Sequence, residues 1–261
     1  MTNDTVLDQI DPDIAERIGS RRDALRDLGA VLAVASFPVA FAASAKQAFA
    51  QDGGALPAEV VDVLNFALTL EYLENSFYEK GLETAGLIPD TNSNRTIFET
   101  IQKHEGEHVE FLESTLGDKA VRKPSFDFTA GGKFDTFETY DTFLLLSQAF
   151  EDTGVRAYRG QAGVLAGSPK ILTAALTIYT VEARHAANVR RLRDLTGWVP
   201  RDQPDAPDPI KPVYAGMDVT TKYKVDVPDV SGVEAADVTE AFDEPLTKKD
   251  VLAIAGQFIK S

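Results

Sequence analysis

The sequence of 261 residues lacks cysteine altogether. This absence excludes disulfide bonds, thiolate metal sites, iron–sulfur clusters and cysteine nucleophiles. Basic residues are also few. The sequence has 26 lysines and arginines against 41 aspartates and glutamates, which gives a formal net charge of −15. Nucleic acids and anionic membranes are bound by basic patches, so neither is expected as a partner.

Long apolar runs are limited to one, at residues 28–45, which is rich in alanine and contains a glycine and a proline. It is too weakly hydrophobic for a membrane anchor, so we expect no stable membrane insertion of the mature protein. The run follows the pair Arg21-Arg22, which resembles a twin-arginine export signal, and it precedes Ala48-Phe49-Ala50, the pattern of a signal-peptidase site. We therefore predict that residues 1–50 are a signal peptide cleaved after Ala50, and that the protein is exported to the periplasm or another extracytoplasmic compartment. The alternative is an uncleaved, amphipathic N-terminal helix.

Four segments of the remaining chain are predicted to be helices. They run from Pro57 to about Gly81, from about Asn94 to Gly117, from Asp135 to about Gly167, and from Ser168-Pro169 to Gly197. Asp135 and Glu138 have the spacing of a capping box, which places the start of the third helix at Asp135. The first and third connections are short, whereas the middle one is long enough to cross a bundle from end to end. The sequence therefore predicts an all-α fold, a four-helix bundle over residues 57–197 with a long middle crossover.

The last segment, residues 198–261, differs from the bundle in its proline content. Seven of the 13 prolines lie between Pro200 and Pro245, so we predict an extended, irregular tail that packs on the bundle. Residues 219–227 could form a strand or simply wrap around the helices. A short terminal helix is predicted from Thr247 to about Ile259, because Thr247 can cap it and Asp250 follows three residues later.

The two halves of the predicted bundle repeat a pattern of acidic residues and histidines. The first and third helices each carry a glutamate followed seven residues later by a tyrosine, and the second and fourth helices each carry a Glu-x-x-His pair. The glutamates and histidines of this repeat are Glu71, Glu105, His108, Glu151, Glu182 and His185. Each of them shares a three-four rhythm with the apolar residues of its helix, as Ile178 and Val189 do around the fourth-helix pair. All six side chains are therefore predicted to face the bundle interior.

Four carboxylates in a bundle interior need a partner, because an unpaired ionised carboxylate is too costly to bury. Two divalent metal ions would balance the four negative charges, and neutral imidazoles would complete the coordination. Carboxylate and imidazole ligands suit iron or manganese, and zinc less distinctively. Glu105 and Glu182 are the candidates to bridge the two ions, since each lies beside a histidine on its helix.

Five further residues are candidates to surround the metal ligands. Tyr78, Tyr158 and Tyr179 could donate hydrogen bonds to the ligands or simply pack in the core. Glu74 is an alternative ligand from the first helix, although it has no counterpart in the repeat. His104 is expected to be a polar neighbour of the site or a half-exposed histidine.

His104-Glu105-x-x-His108 also has the form of the zinc-peptidase motif, in which two histidines hold zinc and the glutamate activates water. The second copy of the repeat argues against this remote alternative, because Val181 stands before Glu182 where a histidine would be needed. A zinc peptidase would also leave the other buried carboxylates unexplained.

The set of six ligands resembles that of the ferritin-like superfamily of dimetal carboxylate proteins. Within it, the stretch from Leu64 to Glu74, followed by Phe77-Tyr78, is similar to the ferritin-like domain of bacterial exported and plant desiccation-related proteins. The tail stretch from Ala241 to Thr247 is also similar to that group. The resemblance covers about residues 57–196 well and the tail more loosely, and all six ligand positions of the superfamily are filled.

The resemblance implies two iron or manganese ions and a reaction with oxygen or peroxide. One hypothesis is an exported oxidoreductase of ferroxidase, peroxidase or manganese-catalase-like type that acts in stress protection. The other is a non-catalytic metal-binding or desiccation-protective protein. A homo-oligomer is compatible with both.

Overall fold

Four long helices form the centre of the computed structural model, which describes residues 56–89, 94–201, 206–222 and 224–260. The helices are α1 (Ala58–Glu83), α2 (Asn94–Leu116), α3 (Tyr140–Gln161) and α4 (Pro169–Leu192). The predicted all-α fold is confirmed. The predicted signal peptide and its cleavage position after Ala50 lie outside the described residues. Within the described part of the chain, no helix combines the length and the apolar character that crossing a membrane requires.

The start of α3 corrects the prediction that placed it at Asp135. Thr139 caps the helix, since its hydroxyl accepts a hydrogen bond from the backbone N–H of Thr142 at 3.2 Å. Asp135 accepts a hydrogen bond from the hydroxyl of Thr142 at 2.6 Å and so supports the cap from outside the helix. Asp135 and Glu138, which have the spacing of a capping box, instead form a turn. In it the N–H of Glu138 donates a hydrogen bond to the carbonyl of Asp135.

The ends of α3 and α4 also come earlier than predicted. α3 ends at Gln161, and a separate 3₁₀ turn covers Val164–Gly167. α4 ends at Leu192 because Asp194 adopts a left-handed backbone conformation with φ of 58°. The N–H groups of Asp194 and Leu195 then bond back to carbonyls of the last helical turn, an arrangement that terminates helices without a glycine.

The helices pack as two pairs, α1 with α2 and α3 with α4. Their buried side chains form two clusters. The aromatic cluster is built around Phe77, Phe98, Phe128, Phe143 and Phe150. The aliphatic cluster is built around Val60, Leu64, Leu68, Leu112, Ile171 and Ile178. Each such side chain contributes about 1.5–3 kcal/mol by leaving water, so these clusters are the main stabilising element of the bundle.

The order of the clusters along each helix gives the direction of the helices. α1 and α4 begin in the aliphatic cluster and end in the aromatic cluster, whereas α2 and α3 run the opposite way. The connection from α2 to α3, residues 120–139, therefore crosses the whole length of the bundle, as the short-long-short connections predict. On every helix the predicted ligands fall between the two clusters; on α1, for example, Glu71 lies between Leu68 and Phe77.

The tail contains more regular structure than predicted. Two short antiparallel strands, β1 (Thr221–Lys222) and β2 (Val225–Asp226), occupy the segment for which a strand was one option. Three helices follow, which are α5 (Val227–Ser231), α6 (Ala235–Ala241) and α7 (Lys248–Ala255). Thr247 caps α7 through the N–H of Asp250, as predicted, and a 3₁₀ turn at Gly256–Phe258 replaces the last predicted helical residues.

Arg156 on α3 holds the tail against the bundle. Its buried guanidinium donates hydrogen bonds to the carbonyl oxygens of Val213, Ala215 and Glu244, at 2.7 Å for the last two. The N–H of Leu246 in turn donates to the carbonyl of Arg156 at 3.2 Å. Because three separate carbonyls converge on one cation, the path of the tail is fixed over α3.

Candidate metal centre

The six glutamates and histidines predicted to face the interior meet in the middle of the bundle. Each helix contributes from its central turns, between the aromatic and aliphatic clusters. All four glutamates have no solvent-exposed surface, and His185 is 3% exposed. His108 is slightly more accessible, with 11% of its side chain exposed. The three-four rhythm of the sequence thus predicted the direction of these side chains; their role as ligands stays a prediction.

The side chains fall into two overlapping groups, in each of which one ligand atom per residue lies within 4.8 Å of the others. The first group contains Glu71, Glu105, His108 and Glu182, and the second contains Glu105, Glu151, Glu182 and His185. Glu105 and Glu182 belong to both. This arrangement, in which two groups share a pair of carboxylates and each adds one further glutamate and one histidine, could hold metal ions.

Several buried polar atoms of this cluster lack a hydrogen-bond partner among the described residues. They are Oε1 of Glu105, Oε2 of Glu151, both carboxylate oxygens of Glu182, and Nδ1 of His185. Buried polar atoms in proteins are almost always paired, so five orphans in one place need an explanation. Oxygen and nitrogen atoms that converge on a common point fit hard or borderline metal ions such as iron and manganese.

The Nδ1 atoms of both histidines lie close to the carboxylates. Nδ1 of His185 lies 2.8 Å from Oε1 of Glu105 and 3.4 Å from Oε2 of Glu151. Nδ1 of His108 lies 3.1 Å from Oε2 of Glu71 and 3.1 Å from Oε1 of Glu182. Both imidazoles therefore present Nδ1 to the carboxylates, one to each group.

Burial sets the acid–base state of the glutamates. It raises the pKa of Glu71 to about 8, against the lowering effect of His108. Burial likewise raises the pKa of Glu151 well above its usual range. Burial also acts on Glu105, but the neighbouring imidazoles of His108 and His185 outweigh it and leave the pKa of Glu105 lowered.

The histidines show the complementary effect. Burial favours neutral imidazole, but the neighbouring carboxylates, Glu151 first, outweigh it and raise the pKa of His185 to about 12. Burial is outweighed in the same way at His108, whose pKa is raised well above its usual value by Glu71 and Glu105. Without ions, the cluster balances its carboxylates with protons, which metal ions would have to displace.

Two of the predicted tyrosines bond to ligand candidates. The hydroxyl of Tyr158 on α3 donates a hydrogen bond to Oε1 of Glu71 on α1. The hydroxyl of Tyr78 on α1 donates to Oε1 of Glu151 on α3 at 2.5 Å. Burial, reinforced by these carboxylates, raises the pKa of both tyrosines well above the usual value, so they remain donors. Tyr179 instead packs, half-buried, against the aliphatic cluster.

Glu74 and His104 also border the cluster. Glu74 is 3% exposed, and burial together with the charges of Glu182 and Glu105 raises its pKa well above the usual value, which favours the neutral acid. Glu74 reaches the cluster beside Gly154 of α3, where an added Cβ would lie 3.3 Å from Oε1 of Glu74.

His104 faces His185 rather than the carboxylates. Its Nδ1 lies 3.0 Å from Nε2 of His185, and the two rings stack at 5.3 Å with 11° between their planes. His104 belongs to neither of the two groups of described residues that could hold a metal ion. The pairing of His104 with His108 that a zinc peptidase needs therefore has no support in the geometry.

A buried network next to the site was not predicted. Arg190 of α4 forms an ion pair with Asp152, with Nη2 and Oδ2 2.5 Å apart, and the hydroxyl of Tyr214 donates to the same carboxylate at 2.8 Å. Asp152 directly follows Glu151, so this network fixes the rotation of α3 at the centre. Asp152 and Arg190 are 38 residues apart in the sequence, and Tyr214 lies in the tail. No local sequence pattern therefore predicts this network.

A comparison with known protein families gives a match. The family model for the Ferritin-like domain matches residues 59–194, more than half of the chain. The match covers all four long helices from near the start of α1 to just beyond the end of α4. A search of curated proteins gives no match.

Proposed function

Because the chain belongs to the family of ferritin-like domains and brings four buried carboxylates together with two imidazoles, we propose that it binds a dinuclear iron or manganese centre. The proposed ligands are Glu71, Glu105, His108, Glu151, Glu182 and His185. Glu105 and Glu182, which belong to both groups, would hold both ions, and each of the other glutamates and histidines would hold one. The centre supports an oxygen- or peroxide-linked redox reaction, or metal handling, in stress protection.

One observation carries this proposal. Five polar atoms of Glu105, Glu151, Glu182 and His185 are buried without a hydrogen-bond partner in the described structure, and they belong to two groups that share two carboxylates. Four ionised glutamates and two neutral histidines carry a charge of −4, which two divalent ions neutralise. Protonation also removes charge, but one proton joins only two atoms, such as Nδ1 of His185 and Oε1 of Glu105, whereas one ion can bind several of these atoms at once.

The residues around the ligands hold the centre in place. Tyr158 and Tyr78 restrict the orientation of Glu71 and Glu151, and each leaves one carboxylate oxygen free to bind. In the tautomer in which Nε2–H of His185 donates to Nδ1 of His104, Nδ1 of His185 carries the lone pair that would bind an ion. When bound, iron or manganese would supply the redox chemistry that these side chains lack.

Two measurements test the proposal. The metal content of the purified protein should be two ions of iron or manganese per chain. Addition of ferrous iron and oxygen, or of hydrogen peroxide, should then give repeated turnover. Stoichiometric uptake without repeated turnover would assign the protein to metal sequestration instead, and a protein that takes up no metal would overturn the proposal.

We also propose that the protein is exported. The support is the Arg21-Arg22 pair, the apolar run at residues 28–45 and the small residues Ala48 and Ala50. The mature protein from a cell-envelope fraction should begin at Gln51. Replacement of both arginines by lysine should leave the full-length chain inside the cell; an unchanged distribution would refute the export signal.

A further inference from the structure

A groove between α2 and α4 leads from the surface to the proposed metal centre. Its volume is about 320 Å³. Thr100 of α2 and Arg184 and Asn188 of α4 line it and are exposed to solvent, while His104 and the buried His185 lie at its inner end. This feature is called the α2–α4 groove below.

At the inner end of the groove, the imidazoles of His104 and His185 lie between the groove and the buried glutamates. His185 has Nδ1 at 2.8 Å from Oε1 of Glu105 on its inner side, and Nε2 at 3.0 Å from His104 on its outer side. The stacked rings of His104 and His185 thus separate the groove from the second group of ligands. A molecule that reaches this pair is adjacent to the proposed centre.

The lining of the groove indicates what it admits. Among the described residues that line it, Arg184 is the only lysine or arginine and none is a carboxylate, although the chain has a net charge of −15. Thr100 and Asn188 offer hydrogen bonds, and Ile101 and Val181 give it apolar walls. A positive rim repels cations and attracts small anions, and it places no barrier against neutral molecules. Metal ions are therefore poor candidates for this route.

We propose that the α2–α4 groove is the access route by which a small neutral or anionic polar molecule, of the size of hydrogen peroxide, reaches the centre beside His185. The proposal deepens the proposed function and rests on it. It assigns to Thr100, Arg184 and Asn188 a role in selecting what reaches the centre, although none of them is a ligand.

Azide is a suitable probe, because it is small, linear and anionic and gives a charge-transfer absorption band when it binds ferric iron. The iron-loaded, oxidised protein is mixed with azide, and the association rate is followed through this band. Asn188→Trp and Thr100→Trp narrow the groove at exposed positions without touching a ligand. Each should slow azide association about tenfold, since binding then needs a side-chain movement first.

Thr177→Trp is the matched control, because Thr177 is an exposed residue of α4 that does not line the groove. It should bind azide at the wild-type rate. Arg184→Glu should slow azide association in low salt and lose this effect in high salt, whereas Arg184→Gln should have a smaller effect.

The metal content of every variant separates this proposal from the proposed function. Groove variants with two ions per chain and wild-type azide rates would overturn the access route and leave the dimetal centre intact. A wild-type protein that takes up no iron would overturn the centre, and the access route with it. Slow azide association in either tryptophan variant, with full metal content and a normal Thr177→Trp control, supports the route.

Discussion

The hydroxyl of Tyr158 on α3 donates a hydrogen bond to Glu71 on α1. The reverse contact also exists, since Tyr78 on α1 donates to Glu151 on α3. In the sequence each tyrosine follows a glutamate by seven residues, but in the fold each serves the glutamate of the other half. The internal repeat is therefore a two-fold arrangement in which α1 and α3 orient each other's terminal ligand.

Removal of either tyrosine hydroxyl should weaken metal binding. Tyr158→Phe and Tyr78→Phe keep the buried ring but free one carboxylate, so the affinity should fall about 10- to 100-fold with a minor change in folding stability. Competition with a chromogenic chelator measures the affinity. Tyr72→Phe is the matched control, because Tyr72 lies on α1 and bonds to Glu113, which is not a ligand. Equal affinities in all three variants would refute an orienting role.

Metal uptake should release protons. In the metal-free protein the pKa of Glu71 is about 8 and that of His185 about 12, so both hold protons at neutral pH that a metal-bound ligand cannot hold. Falling pH favours the protonated, metal-free form, so the affinity should decrease as pH decreases. Calorimetric titration in buffers with different ionisation enthalpies measures the number of protons released. An apparent enthalpy independent of the buffer would contradict this expectation.

The close approach of the tail to α3 should depend on Gly160. A Cβ at this position would lie 2.0 Å from the carbonyl oxygen of Leu246, so Gly160→Ala must displace the tail. The free energy of unfolding should fall by about 1–3 kcal/mol, as in other overpacked sites. Gly163→Ala is the control, because nothing lies within 4 Å of its added Cβ. Chemical denaturation compares the two variants, and equal stability would refute a close-packed tail.

Removal of the metal should destabilise the bundle. Ions that bind only the folded state stabilise it by about 4 kcal/mol at a free concentration of 1,000 times Kd. The loaded protein should therefore melt roughly 10 °C higher than the chelator-treated protein. The double variant Glu105→Gln/Glu182→Gln, which removes both proposed bridges, should melt at one temperature with or without metal. A metal-dependent Tm in this variant would contradict the bridging assignment.

The parts of the fold that depend on local sequence pattern, such as the buried face of a helix or the length of a connection, could be predicted. The rhythm around Glu182 and His185 places both on the core face of α4, and the length of the connection at residues 120–139 predicts the crossover. The start of α3 was not predictable from spacing alone. Asp135 and Thr139 both have side chains that can cap a helix, and the choice of Thr139 follows from its hydrogen bond with Thr142.

The surroundings of the site depend on contacts between helices that no local pattern contains. Glu74 is buried because Gly154 of α3 leaves room for it, and the stacking of His104 on His185 depends on the distance between α2 and α4. The ion pair between Asp152 and Arg190 likewise needs the tail residue Tyr214. The proposed ligands could be named from the sequence because four buried carboxylates need compensation whatever the details of packing.

Metal stoichiometry of the purified wild-type chain tests the central claim most directly. Elemental analysis, with the protein concentration from amino-acid analysis, should give two iron or manganese ions per chain, and less than a tenth of that for Glu105→Gln/Glu182→Gln. A folded wild-type protein that retains no metal after reconstitution with either ion, or a double variant that still binds two, would contradict the account.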